Sequence, residues 1–261
     1  MSTASLLKAK QRRGELERKY DVGAKINAQS VIRWLSIDMI YIVSIWLLPV
    51  LIAVTFHEAA HGFVPRFLGD ETASRLGRVS LNPLRHIDPF GTILLPGLLL
   101  LARSPFLFGY AKTVPVNFRA LRNPRFGMVL VAAARPAMNF GSAIIAALSF
   151  HLVVYLPVIA GQWVALNLKN AIVINVILAV FNLFPLPPLD GGRIAVGLLP
   201  NVLANPLARL EPYGMMILIG LLIVLPLAGS QLGIDLGFVS HFISSATNVV
   251  IKVVLLLTGN S

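Results

Sequence analysis

The sequence predicts an all-α polytopic membrane protein with about five to six transmembrane segments, a re-entrant loop and a short extended β segment beside the polar centre of the bundle. Three observations carry that reading. Of the 261 residues, 56% are apolar and only 13% charged, where soluble domains carry about 25% charged residues. Mean hydropathy is +0.78. Apolar runs long enough to span a bilayer recur along the chain, and they are separated by short loops rich in Arg, Pro and Gly.

The elements follow in order. Residues 1–33 hold eight Lys/Arg and three acids and read as a basic tail, without the short apolar core and small-residue site of a cleaved leader. Residues 34–261 read as one membrane-embedded domain. From Trp34 to about Phe67 runs a long apolar segment, stopped by Gly69-Asp70, with Pro49 able to bend it. Asn82-Pro83 and Asp88-Pro89 mark turns in a polar stretch over 70–90, where His86 and Asp88 read as loop-structure residues. Phe90–Ala102 is apolar but too short to cross, and Pro96-Gly97 interrupts it, so a re-entrant element is expected. Phe108–Phe118 reads as extended backbone with turns. Phe126–Val158 and Val164–Phe184 are the next spans. A proline-rich break over residues 182–192 follows, tolerable at membrane depth only where it lines a protein cavity. Tyr213–Leu227 and Gly237–Leu257 complete the apolar segments.

Charge and cysteine content exclude several classes. The net charge of +11 lies in the tail and the loops, where anionic lipid heads and the positive-inside rule account for it, so no nucleic-acid partner is expected. With no cysteine, thiolate ligation and disulfides are excluded. A metal bound here needs His, Asp or Glu.

Such donors are present. His57-Glu58-Ala59-Ala60-His61 sits at the end of the first apolar segment. On a helix, positions four apart lie about 40° apart in azimuth, so His57 and His61 share a face and can supply half of a tetrahedral zinc site, with Glu58 beside them as a base. Ionisable groups inside an apolar span are costly and mark function. Asp190, in Leu189-Asp190-Gly191-Gly192, is the candidate third ligand; alternatively it caps a short helix beginning near Arg193.

The His57–His61 pentad, Pro136-Ala137-Met138-Asn139-Phe140, and Asn182 with Pro185 and Leu189-Asp190-Gly191 together resemble the signature of the site-2 protease family, zinc metalloproteases that cut within membranes. Gly109-Tyr110-Ala111-Lys112-Thr113-Val114-Pro115-Val116-Asn117 is similar to a segment of its compact bacterial members, which lack a PDZ domain. The likeness covers about residues 40–200, the catalytic core, with additional helices over 201–261. It implies that His57, His61 and Asp190 bind one zinc ion (Zn2+) per chain and that Glu58 is the general base. Asn139 and Asn182 would bind the substrate backbone or fix the geometry of the site. The implied substrate is a transmembrane protein, its backbone held against the extended segment. Arg135 stands where the family usually has Gly before the proline. It would repel a metal, hold a substrate carbonyl, or neutralise an acid such as Asp190. A weakly active relative that binds or sequesters membrane proteins is therefore an alternative. A divalent-metal transporter is another, though no internal repeat supports it.

Topology follows from joining the two halves of the site. If His57, His61 and Asp190 hold one ion, they share a membrane side, and two full spans separate Phe126 from Asp190. The 70–125 region must then begin and end on that side. Beyond the tail, loops 66–88, 103–125 and 186–211 hold most of the Lys/Arg, whereas 157–168 and 229–236 hold none, which puts the site toward the cytosol of a bacterial cytoplasmic membrane. A single crossing by 34–67 would strand the basic tail on the other side; a hairpin at Pro49 would return it.

Overall fold

The computed structural model describes residues 28–86, 88–94, 98, 112 and 114–260. The chain forms two units, residues 1–44 and 45–261. The described part of the first is the beginning of a single helix, and the packing and the site below belong to the second.

Helix α1 is Ala28–Phe67 and passes through Pro49 without a break. One missing N–H bends a helix more readily than it ends one, so the hairpin expected at Pro49 does not form. The helix also starts ahead of the expected Trp34. It ends where Gly69 takes a φ of 105°, a conformation that side chains with a Cβ resist. After a single turn, α2 (Thr72–Arg75), Asp88 accepts the N–H groups of Phe90 (3.0 Å) and Gly91 (2.7 Å). It thereby caps the wide turn Pro89–Leu94, the structural role expected of it. His86 Nε2 lies 2.7 Å from Ser80 O, likewise a loop contact. Most of the expected re-entrant stretch, 95–97 and 99–102, lies outside the described residues.

Helix α3 (Pro124–Ser149) begins on two sequence signals: Pro124 in its first turn and Asn123, whose side chain accepts the Phe126 N–H. It tightens into a 3₁₀ stretch, Phe150–Tyr155. Helix α4 (Val158–Asn182) follows almost at once, so this span begins earlier than the expected Val164. After the Pro185–Pro188 turn come α5 (Asp190–Leu198) and α6 (Asn201–Ala208). The expected span 213–227 is part of a longer broken run: α7 (Gly214–Ile219), a π turn (Gly220–Val224) and α8 (Leu225–Gln231). Pro226 offers no N–H to the preceding turn, and the wide turn sits where that bond is missing. Helix α9 is Phe238–Leu257.

Among the described residues, five stretches are long and apolar enough to cross a membrane: Met39–Phe67, Pro124–Tyr155, Val158–Asn182, Asn201–Gln231 and Phe238–Leu257. The protein is an all-α, multi-pass membrane protein. No described residue lies in a β-strand. The described part of the expected extended segment, Val114–Asn117, is irregular, and 108–111 and 113 lie outside the described residues.

α3 packs most extensively on α4 and next on α5. Ala143, Ala146 and Ala147 of α3 meet Ile172 and Val176 of α4 and Val254 of α9. Between membrane helices, lipid is as apolar as the side chains, so close approach over small residues holds the bundle together. A second cluster, Leu186, Leu189 and Leu218, anchors the proline turn. That turn is tight because Gly191 and Gly192 have no side chain: a Cβ on Gly191 would strike Leu183 O, and one on Gly192 would strike Pro187 N. At the far end of α5, Arg125 of α3 donates from Nε to Gly197 O (2.9 Å), from Nη1 to Asn201 Oδ1 (3.0 Å) and from Nη2 to Leu199 O. Those carbonyls belong to the end of α5, where helices leave acceptors unsatisfied and attract cations.

Candidate metal centre

His57, Glu58 and His61 lie on the inward face of α1 and are all buried. The small neighbours Ala53, Ala59 and Ala60 are buried too, which brings α1 close enough for its polar groups to reach α3. His57 Nδ1 stands 2.6 Å from Asn139 Oδ1. Asn139 Nδ2 donates to Asn175 Oδ1 on α4 at 2.8 Å, and Asn175 Nδ2 donates to Ala171 O at 2.8 Å. His61 Nδ1 is buried without a hydrogen-bond partner among the described residues.

Glu58 Oε2 accepts the Val114 N–H at 3.2 Å and lies 3.4 Å from Arg135 Nη2. Across the bundle, Arg135 Nη1 lies 3.5 Å from Asp190 Oδ1. One guanidinium, its side chain 14% exposed, thus joins the carboxylate of α1 to that of α5. Asp190 is 1% exposed and opens α5, yet it does not cap it: the N-cap is Leu189 and no side-chain cap bond forms. Neither carboxylate oxygen of Asp190 has a hydrogen-bond partner among the described residues.

Just beyond the span, Asp70 ties the loop to α1. It accepts from Thr72 N (2.9 Å), Thr72 Oγ1 (2.5 Å) and Asn117 N (2.7 Å). Burial works to raise its carboxyl, but the Thr72 and Asn117 donors outweigh it and hold the group below the usual carboxylate range. Val114 and Asn117 are therefore fastened to one acid on α1 and one just past its end, which lays this short stretch alongside Glu58.

Of the residues singled out from sequence, His57 joins Asn139, and Glu58 joins Asp190 through Arg135; His61 is buried one turn from His57 on the same helix. Asn182 joins none of these: its Nδ2 donates to Leu178 O of its own helix at 2.8 Å. Asn175 was not singled out. Its signal was an amide inside an apolar span, seven positions before Asn182 and so on nearly the same face.

Do these residues fit zinc? Among the described residues no three His, Asp or Glu side chains gather as a set around one point. The cation between Glu58 and Asp190 is Arg135 itself. The donors are nevertheless of the right kind, two imidazoles and a carboxylate, and the Asp190 oxygens, without a hydrogen bond among the described residues, have the Arg135 ion pair at 3.5 Å to offset their burial. The donor types suit zinc, and Arg135 is the cation that stands between the two carboxylates in the structure.

Donors of this sort, buried in an apolar bundle beside a further carboxylate, are of the kind that marks a class: the membrane-embedded metallopeptidases. Residues 159–225 match the profile of Peptidase family M50, a stretch that carries Asn175, Asn182 and Asp190 but not the imidazole pair. "Putative zinc metalloprotease YwhC" of Bacillus subtilis is 38% identical over 184 residues, 68% of this chain and 78% of its own. "Putative zinc metalloprotease Rip2" of Mycobacterium tuberculosis is 26% identical over 207 residues, 77% of each chain. The chain belongs to peptidase family M50, the site-2 proteases. No solved structure matches it.

Proposed function

We propose that the protein is an intramembrane zinc endopeptidase that hydrolyses peptide bonds within or next to transmembrane helices of membrane-protein substrates, from a site open toward the cytosol of a bacterial cytoplasmic membrane. The observation that carries this is Asp190: a buried carboxylate whose oxygens have no hydrogen-bond partner among the described residues, facing the same guanidinium as Glu58. His57, His61 and Asp190 would hold one zinc per chain. Zinc bound there supplies Lewis acidity toward a carbonyl and makes water nucleophilic at neutral pH. Glu58 takes the proton from the attacking water on its carboxylate and returns it to the leaving amine. Asn139 keeps the His57 ring in place. Val114–Asn117 runs beside Glu58 and offers backbone groups to a substrate that has been unwound, since a helical segment shields its own carbonyls.

The test is turnover of a single-span substrate by the purified protein. Glu58→Gln should abolish cleavage and leave one zinc per chain bound; cleavage by a purified Glu58→Gln variant sinks the mechanism. A second reading has one observation behind it. Arg135 contacts both the base and the candidate ligand, as suits a weakly active relative that binds membrane proteins. Activity gained on Arg135→Gly would favour that reading.

A further inference from the structure

We infer that Asn175 is a positioning residue that, through Asn139, fixes which nitrogen of His57 carries the proton. Ala171 O, a backbone carbonyl, can only accept. Ala171 O receives Asn175 Nδ2 at 2.8 Å; an amide turned the other way would set oxygen against oxygen. Asn175 Oδ1 must therefore face Asn139, and it can only accept, so the group it meets at 2.8 Å is Asn139 Nδ2. That leaves Asn139 Oδ1 toward His57 at 2.6 Å. His57 Nδ1 is thus the donor, and in the neutral ring the bare lone pair is on Nε2.

The relay is sealed. His57, Asn139 and Asn175 are 7%, 0% and 2% exposed, so water does not compete for these amides. Each hydrogen bond in the row has one permitted direction, and the direction is set by a helix carbonyl two residues removed from the imidazole. On the reading above, on which this inference rests, His57 meets a metal through Nε2. A ring held with its proton on Nδ1 is ready to do so without rearrangement, which is what partners of ligating histidines generally provide. Asn175 lies on a different helix from every proposed ligand, so α4 contributes to the site through this row alone among the described contacts of His57.

The experiment reads the tautomer directly. ¹⁵N-histidine-labelled, metal-free protein is examined by NMR, with His57 assigned by the signals lost in His57→Gln. The wild type should show a protonated Nδ1 and an unprotonated Nε2. Asn175→Leu removes the acceptor and frees the Asn139 amide to turn; it should give a mixed or reversed tautomer and bind zinc about tenfold to a hundredfold more weakly in a chelator competition. Asn175→Asp, which in its protonated form offers one donor and one acceptor in the same places, should restore both readouts. A proton on Nε2 in the wild type overturns the inference whether or not any variant folds. So does an unchanged tautomer in Asn175→Leu with unchanged zinc affinity, or equal loss of zinc in the Leu and Asp variants with His57 unaltered. The spectrum of metal-free wild type does not depend on peptide hydrolysis, so failure of the protease reading shows separately, as a chain with the stated tautomer and no turnover.

Discussion

Arg135 Nη2 stands 3.4 Å from Glu58 Oε2, so the proposed general base is held by a buried cation. Its other arm reaches Asp190 at 3.5 Å. A buried guanidinium between two carboxylates offsets the charge of both, and a metal ion entering the same region would meet a like charge.

Replacing this guanidinium with an apolar chain should therefore act in opposite directions on the two states. Arg135→Met should cost the metal-free protein about 3 kcal/mol, the usual result of stripping one partner from a buried ion pair. It should also tighten zinc binding about tenfold by removing the repulsion. Melting in chelator and zinc competition measure the two. Weaker zinc binding in the variant would show that Arg135 supports the metal rather than opposing it.

Metal removal gives a second prediction. Zinc that binds only the folded state raises stability by mass action, about 2.7 kcal/mol at a hundredfold excess over the dissociation constant. Adding zinc to stripped wild type should raise its melting temperature. Asp190→Ala and His57→Ala should lose most of that rise. An undiminished rise in Asp190→Ala would remove Asp190 from the ligand set.

Asp70 predicts a pH response outside the membrane. Its carboxyl is held below the usual range in the folded protein, so the unfolded state binds its proton more readily. The stabilisation is complete above the unfolded value of about 3.9 and is lost as pH falls through the lower, folded value. Asp70→Asn should lower stability at pH 7 and flatten the acid limb below about pH 4. Denaturant melts of both proteins across that range are the check.

The proline turn predicts a steric effect. Gly192→Ala would drive a Cβ into Pro187 N, backbone that has no room to yield. A loss of about 2 kcal/mol or more, with weakened zinc binding as Asp190 shifts, is expected. Full stability with normal zinc binding would mean the turn repacks freely.

Orientation can be read with introduced thiols, since the chain has no cysteine. Glu71→Cys should react with an impermeant maleimide only from the cytosolic face, and Ser230→Cys only from the opposite face. The reverse labelling would invert the proposed placement.

Much of this was legible in the residues. The apolar runs located the spans because spanning length is set by the bilayer, and the spacing of His57 and His61 put both on one face because helix pitch is fixed. Boundaries slipped where proline chemistry was local: Pro49 passed inside a helix, and Pro226 met a wide turn that no hydropathy pattern signals. Arg135 was legible as an intruder, and neutralising an acid was one of its open roles; that it would reach two acids depends on the distance between α1 and α5. Asn175 was invisible for the same reason, since a lone amide in an apolar span states no partner. Asn182, by contrast, matched a motif yet bonds only its own helix.

Arg125 grips the far end of α5 while Asp190 rides on the near end. A rod of nine residues is about 13 Å long, and its near end is seated by Gly191 and Gly192 against the Leu183 and Pro187 backbone. Clamped at both ends, α5 presents its carboxylate on a stiff strut rather than on a loose tether.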